Sequence, residues 1–195
     1  MPFNPTIHAY ALTTLDAVKA LLGITGSSDD AVLTHLINAA TDWIERVTGQ
    51  RRFKQTTHTN ELFDGNGSHN LFTRNYPNVS ITLLEKRTSP SAFETIASAK
   101  YYVDPVIGRI LLDERTERGA ANYRITYIAG YATIPTDLEQ LCIKLVVDEF
   151  NSRSGGGGIT QESLGEYSVT FADTGLLTDP FITKTVNAYK RHPVY

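Results

Sequence analysis

The chain has 195 residues, 41% of them hydrophobic and 20% charged, with a formal net charge of −3. That length suits one medium domain, or one core with a sizeable insertion, and it buries a core without staples. The charge balance gives no reason to expect tight nucleic-acid binding, which needs clustered lysine and arginine, and the single cysteine rules out an intrachain disulfide. No basic, apolar leader opens the sequence and no apolar run approaches the ~20 residues of a membrane span, so a soluble protein made in a cytoplasm is expected.

Residues 1–13 read as irregular, with prolines at 2 and 5. A short helix should follow, capped by Thr14, lined on one face by Leu15, Val18, Leu21 and Leu22, and ended by Gly23 in the left-handed conformation. The second helix has the strongest periodicity: Leu33, Leu36, Ile37, Ala40, Trp43, Ile44 and Val47 share one stripe. Ser27 or Ser28 should cap it, Asp29 and Asp30 suit its positive end, and Gly49 supplies the stop. Thr34, Asn38, Asp42, Glu45 and Arg46 fall on its other faces.

From about Phe53 the texture becomes β-like. Strands are expected over Thr56–Phe63, Asn70–Thr73, Ser80–Arg87, Lys100–Val103, Arg109–Leu112 and Tyr123–Tyr131, with Asp64 to Gly67 read as a hairpin turn. Asp104, Pro105 and Gly108 interrupt the middle. A third long helix starts at Pro135. Leu138, Leu141, Cys142, Leu145, Val146 and Glu149 trace one stripe along it, and Ile143, Val147 and Phe150 a second, so it should be covered on two sides, the second by its own fold or by a neighbouring subunit. Gly155 to Gly158 read as a flexible connection, Ser168 to Phe171 as a strand-like segment, and the stretch from Thr178 as a last helix with Pro180 in its first turn and Ile182, Val186 and Tyr189 on one face.

The search for chemistry returns no constellation. His8, His35, His58, His69 and His192 lack partners at metal-ligand spacing. The glycine run lacks the Gly-Lys-Ser/Thr of a phosphate loop, and no Gly-x-Ser-x-Gly elbow is present. Cys142 sits in an apolar helical stretch and reads as buried and inert. Asp29-Asp30 read as helix-start charges and Asp113-Glu114 as a solvated turn. Arg51, Arg52 and Lys54 form the densest basic cluster, a charged helix exit or a contact with an acidic partner surface or DNA. Tyr101, Tyr102, Tyr123, Tyr127 and Tyr131 alternate as sheet residues do.

Leu15 to Ile24, the Asp29-Asp30 start and Leu33 to Gly49 resemble the opening of the head–tail connector (adaptor, head-completion) proteins of long-tailed bacteriophages and related gene transfer particles. In that family an acidic-capped helix ends in Thr-Gly, often before an arginine and an aromatic, as Thr48, Gly49, Arg51, Arg52 and Phe53 do here. Tyr102 to Asp104, Gly108 to Ile110, Ile125 to Tyr131 and Ile134-Pro135 resemble the β insertion of the longer members and the start of their second main helix. Gly158 to Phe171 resembles their post-helix segment. The first 12 and last 20 residues match nothing placed firmly.

The resemblance implies an α+β fold: a helical connector core of three to four helices with an inserted antiparallel β unit. Residues 1–53 and 134–154 would form the core, 54–133 the insertion, and 155–195 a linker, strand-like segment and C-terminal docking arm. It implies a structural protein of the virion neck, a dodecameric ring joining the portal vertex to the tail and meeting a tail-side stopper or tail-terminator protein. Genomic DNA would pass through without sequence-specific binding. No catalytic residue, cofactor, metal or membrane is implied. Ile143, Val147 and Phe150 become the candidate subunit interface. Phe181, Ile182, Val186, Tyr189, Lys190, Arg191 and Tyr195 become the candidate portal-docking residues, and Arg51 and Arg52 a secondary contact. Two other readings stay open: a tail-associated carbohydrate- or receptor-binding module, suggested by the tyrosine-rich β unit, and a small phage hydrolase.

Overall fold

The computed structural model describes residues 5–49, 52–77, 79–154 and 179–190. Four helices occur in this order with seven strands: α1 (Leu15–Leu22), α2 (Asp30–Val47), β1 (Thr56–Gly65), β2 (Asn70–Phe72), β3 (Ser80–Ser89), β4 (Ala92–Thr95), β5 (Tyr101–Asp104), β6 (Arg109–Leu112), β7 (Gly119–Ala129), α3 (Thr136–Ser154) and α4 (Pro180–Tyr189). The architecture is α+β, as the sequence pattern indicates. The chain divides into a helical unit drawn from Met1–Gln50 and Ile134–His192 and a β unit drawn chiefly from Arg51–Thr133.

In the helical unit, α1 forms as its caps dictate. The Thr14 hydroxyl accepts the Ala17 N–H at 3.2 Å, and Gly23, at φ 70°, takes the left-handed stop that a side chain would strain. Its apolar face is only partly used: Val18 is buried, whereas Leu21 stands 66% exposed. Helix α2 starts differently from expectation. Asp29 is the cap residue but makes no side-chain capping bond, and the Ser28 hydroxyl donates to the Asp29 carboxylate instead.

The other faces of α2 are partly covered, with Asp42 and Arg46 left exposed. Thr34, Asn38 and Glu45 are buried along with the apolar stripe. The segment ahead of α1 reaches Asn38 and Thr41 of α2 without forming regular structure. Asn38 accepts the His8 N–H at 2.8 Å and donates to the Thr6 carbonyl at 2.9 Å, while Thr41 accepts the Leu12 N–H at 3.3 Å. Each side chain supplies a partner that an irregular backbone cannot find for itself. The Lys19 ammonium, 2.6 Å from Asp30, ties α1 to the start of α2.

In the β unit, β1-β7-β3-β4 form one antiparallel sheet and β2-β6-β5 a second. Strand β7 shows why: Tyr123, Ile125, Tyr127 and Ala129 alternate into the core with Phe63, Leu71, Leu84 and Ile110. The Asp64 to Gly67 stretch is no hairpin turn, because β1 pairs with β7 and β2 with β6, so the chain changes sheets there. Strand β4 carries one partly buried side chain, Phe93, and is otherwise exposed, so it leaves no apolar alternation to read. The chain enters and leaves this unit side by side: Tyr131 N–H donates to Phe53 O at 2.7 Å and Gln55 N–H to Tyr131 O at 2.9 Å. Gly130, at φ 111°, is required at this crossing, since a Cβ would lie 2.8 Å from the backbone of Lys54 and Gln55.

Candidate assembly surfaces

Helix α3 organises the helical unit. Its first stripe, Leu138, Leu141, Cys142, Leu145 and Val146, is buried against α2, α1 and α4. Burial pushes the Cys142 thiol up to about 12, and its sulfur lies 3.9 Å from the Thr41 hydroxyl, so the thiol is inert. The second stripe, Ile143, Val147 and Phe150, is half-buried. Spaced at i, i+4 and i+7, these three share one face of α3, and its own fold covers that face incompletely. At its N-terminal end Ile143 joins Ala17, Ala20 and Leu21 of α1 to line an open apolar recess, with Gln140 and Lys144 at the rim.

Lys144 links this recess to α4. Its ammonium lies 2.9 Å from Asp148 and 3.3 Å from Asp179, and the hydrogen bond to Asp148 raises its pKa. Asp179 is the N-cap of α4 and accepts the N–H groups of Phe181 at 2.8 Å and Ile182 at 3.3 Å. Desolvation works against its charged form, but those amides and Lys144 hold the carboxyl below its ordinary value.

The apolar stripe of α4 is largely covered within its own subunit. Ile182 and Val186 are buried in their own subunit, because α4 packs on α3, and the Tyr189 hydroxyl donates to Asp137 of α3 at 2.7 Å. Phe181 remains exposed, as does Lys190, and Tyr189 is half-buried. Arg51, Arg191 and Tyr195 lie outside the described residues, as do Gly155 to Gly158, Ser168 to Phe171 and Thr178. Arg52 is half-buried, and its backbone N–H donates to the Asn75 side chain at 2.9 Å.

Several polar groups of the β unit pair with one another in its interior. A bulge in β1, with Asn60 at φ 55°, separates His58 from Glu61. The Tyr127 hydroxyl donates to Glu61 at 2.9 Å and accepts the backbone and side-chain N–H groups of Asn75, each at 3.3 Å. Burial drives the Tyr127 hydroxyl up to about 12, while the hydrogen bond with His58 is the largest influence holding Glu61 below its ordinary value. Glu85 and Arg124, cross-strand neighbours on β3 and β7, form a bidentate pair at 2.6 and 2.8 Å. The Arg124 guanidinium also covers the Phe93 ring. These groups satisfy one another. Of the five tyrosines noted in the sequence, Tyr102 alone is exposed, so they form no aromatic platform. Among the described residues no group of three or more His, Cys, Asp or Glu is placed to hold a metal ion, and no helix is long and apolar enough to cross a membrane.

A helical unit with incompletely covered apolar faces, joined to a β unit that pairs Glu61 and Glu85 internally, leaves surfaces suited to assembly. The chain belongs to the head completion protein family, whose model matches residues 11–191, and it is accordingly a structural virion protein of the head–tail connector class. No curated protein sequence matches it. Its fold is similar to a chain from the neck of an empty GTA particle computed with C6 symmetry, at a TM-score of 0.61 and 16% identity, covering 98% of this chain and 96% of that one. A chain from the neck of a native GTA particle computed with C12 symmetry matches at a TM-score of 0.58 and 15% identity, covering 100% and 96%.

Proposed function

We propose that this chain is an adaptor subunit that repeats as a closed ring between the portal vertex and the tail, extending the DNA channel without catalysing a reaction. The carrying observation is the family match across residues 11–191. The fold likeness to chains from necks computed with C6 and C12 symmetry supports a repeated subunit, with twelve copies as the proposed number. In this reading Ile143, Val147 and Phe150 help bury the subunit interface. Phe181, Tyr189, Lys190, Arg191 and Tyr195 meet the portal, with Ile182 and Val186 fixing α4 on its own subunit. Arg51 and Arg52 form a secondary contact, and a stopper or tail-terminator protein meets the tail-side face. DNA passes without sequence-specific contact.

The test of docking is to delete Thr178 to Tyr195 and present the truncated protein to portal-containing heads. It is expected to retain its β unit by circular dichroism and to lose head binding. A truncated protein that folds and binds heads normally would move the docking surface away from α4 and its tail.

A further inference from the structure

Large apolar side chains left in water mark contacts to come, and their distribution here is uneven. Tyr102, Val106, Ile107 and Leu111, all exposed, belong to the single β5–β6 hairpin. Tyr102 and Leu111 are direct cross-strand partners, and Val106 and Ile107 occupy the turn between the strands. Among the described residues, the most exposed large apolar side chain of the helical unit is Leu21, at 66%, and that of the β unit is Val106, at 67%. One lines a recess and the other tops a turn.

We propose that the Val106–Ile107 turn of one subunit seats in the recess between α1 and α3 of the next. This rests on the ring reading above and names the surfaces that would join its copies. A ring requires a heterologous interface, in which two different patches of the same chain meet. A convex turn and a concave recess, one from each unit, meet that requirement, whereas two turns or two recesses do not interlock.

The turn is built to hold its shape. Val106 N–H donates to the Asp104 carboxylate at 3.1 Å, Gly108 N–H to Asp104 O at 3.0 Å, Thr73 N–H to Gly108 O at 2.8 Å and Val79 N–H to Pro105 O at 3.2 Å. A turn already ordered loses little freedom on docking. The recess suits it: Ala17 and Ala20 are small enough for close approach, and Leu21 and Ile143 supply apolar walls. Neither rim forces an unpaired charge into the contact, since Asp104 faces Arg109 at 3.9 Å and Lys144 is held by Asp148 and Asp179. The recess also runs into the half-buried Ile143, Val147 and Phe150 face, so the contact would extend the proposed interface along α3.

The test is disulfide trapping in assembled particles carrying Ala20→Cys with Ile107→Cys, oxidised and resolved on a non-reducing gel. The native Cys142 is buried and serves as the silent background. The double variant is expected to give a ladder of multimers, and neither single variant should. Rings visible by electron microscopy with no ladder would overturn this contact and leave the ring reading intact. A cross-link to a different virion protein would assign the turn or the recess to that partner and overturn it too. Absence of rings in the unmodified protein's particles would overturn both readings. As a second arm, Leu21→Asp and Val106→Asp change exposed positions and should keep the wild-type fold by circular dichroism while lowering ring yield at least about tenfold, the loss expected when a charge is left in an apolar contact. Wild-type ring yield in both variants would overturn the proposal.

Discussion

The helical unit and the β unit are stabilised by different kinds of interior. In the helical unit, stripes of Leu, Ile, Val and Ala on α2 and α3 are buried along with Trp43, and Asn38 and Thr41 bond to the backbone of the N-terminal segment. The β unit buries tyrosines and pairs its carboxylates, Glu61 with Tyr127 and Glu85 with Arg124. The first kind of core fails when a charge enters it. The second depends on its carboxylates staying ionised.

Placing a charge in the helical core should have the largest effect. Val146→Asp puts an unpaired carboxylate at a fully buried site and is expected to cost about 3–5 kcal/mol. Val147→Asp, one residue on, falls on the half-buried stripe and should cost the isolated subunit about 1 kcal/mol, with its main effect on assembly. Denaturation followed by the fluorescence of Trp43, the chain's one tryptophan, measures both. Equal losses for the two variants would erase the distinction between the stripes.

Tyr127→Phe attacks the β unit's interior. It removes the hydroxyl that joins Glu61 to Asn75 and should destabilise by about 1–3 kcal/mol, as read by urea titration of the β unit's circular dichroism. An unchanged midpoint would show that this network carries no net stability.

Acid should weaken the β unit more gently. Glu61 and Glu85 have folded pKa values held below their ordinary 4.5. Their contribution is complete above that value and is lost as pH falls through the lowered folded values. Amide exchange compared at about pH 6 and about pH 3, corrected for intrinsic rates, should show β7 losing protection. Unchanged protection of β7 would show that these carboxylates carry no net stability. The smallest expected effect is Thr14→Ala, which removes one cap from α1 and should cost about 1 kcal/mol in thermal unfolding.

The two kinds of interior also explain what the sequence disclosed. Helical spacing located α1 to α4 closely, and alternation located six strands, because each signal is local and each buried face repeats with its element's period. Nothing local shows that Asn38 faces protein, since the segment that bonds to it comes from outside the helix. Asp64 to Gly67 carries the residues of a tight turn, but strand partners are chosen by the whole sheet. The second stripe of α3 was legible as apolar, while the recess it shares with Leu21 needed α1 in place. Likewise Ile182 and Val186 look like a free docking stripe until α3 is set beside them.

The most direct measurement is a reconstruction of the neck from intact particles without imposed symmetry. The expected result is a closed ring of this chain directly below the portal, with the Ile143, Val147 and Phe150 face against a neighbouring copy. Finding the chain as single copies, or out on the capsid shell, would contradict its assignment as the adaptor ring.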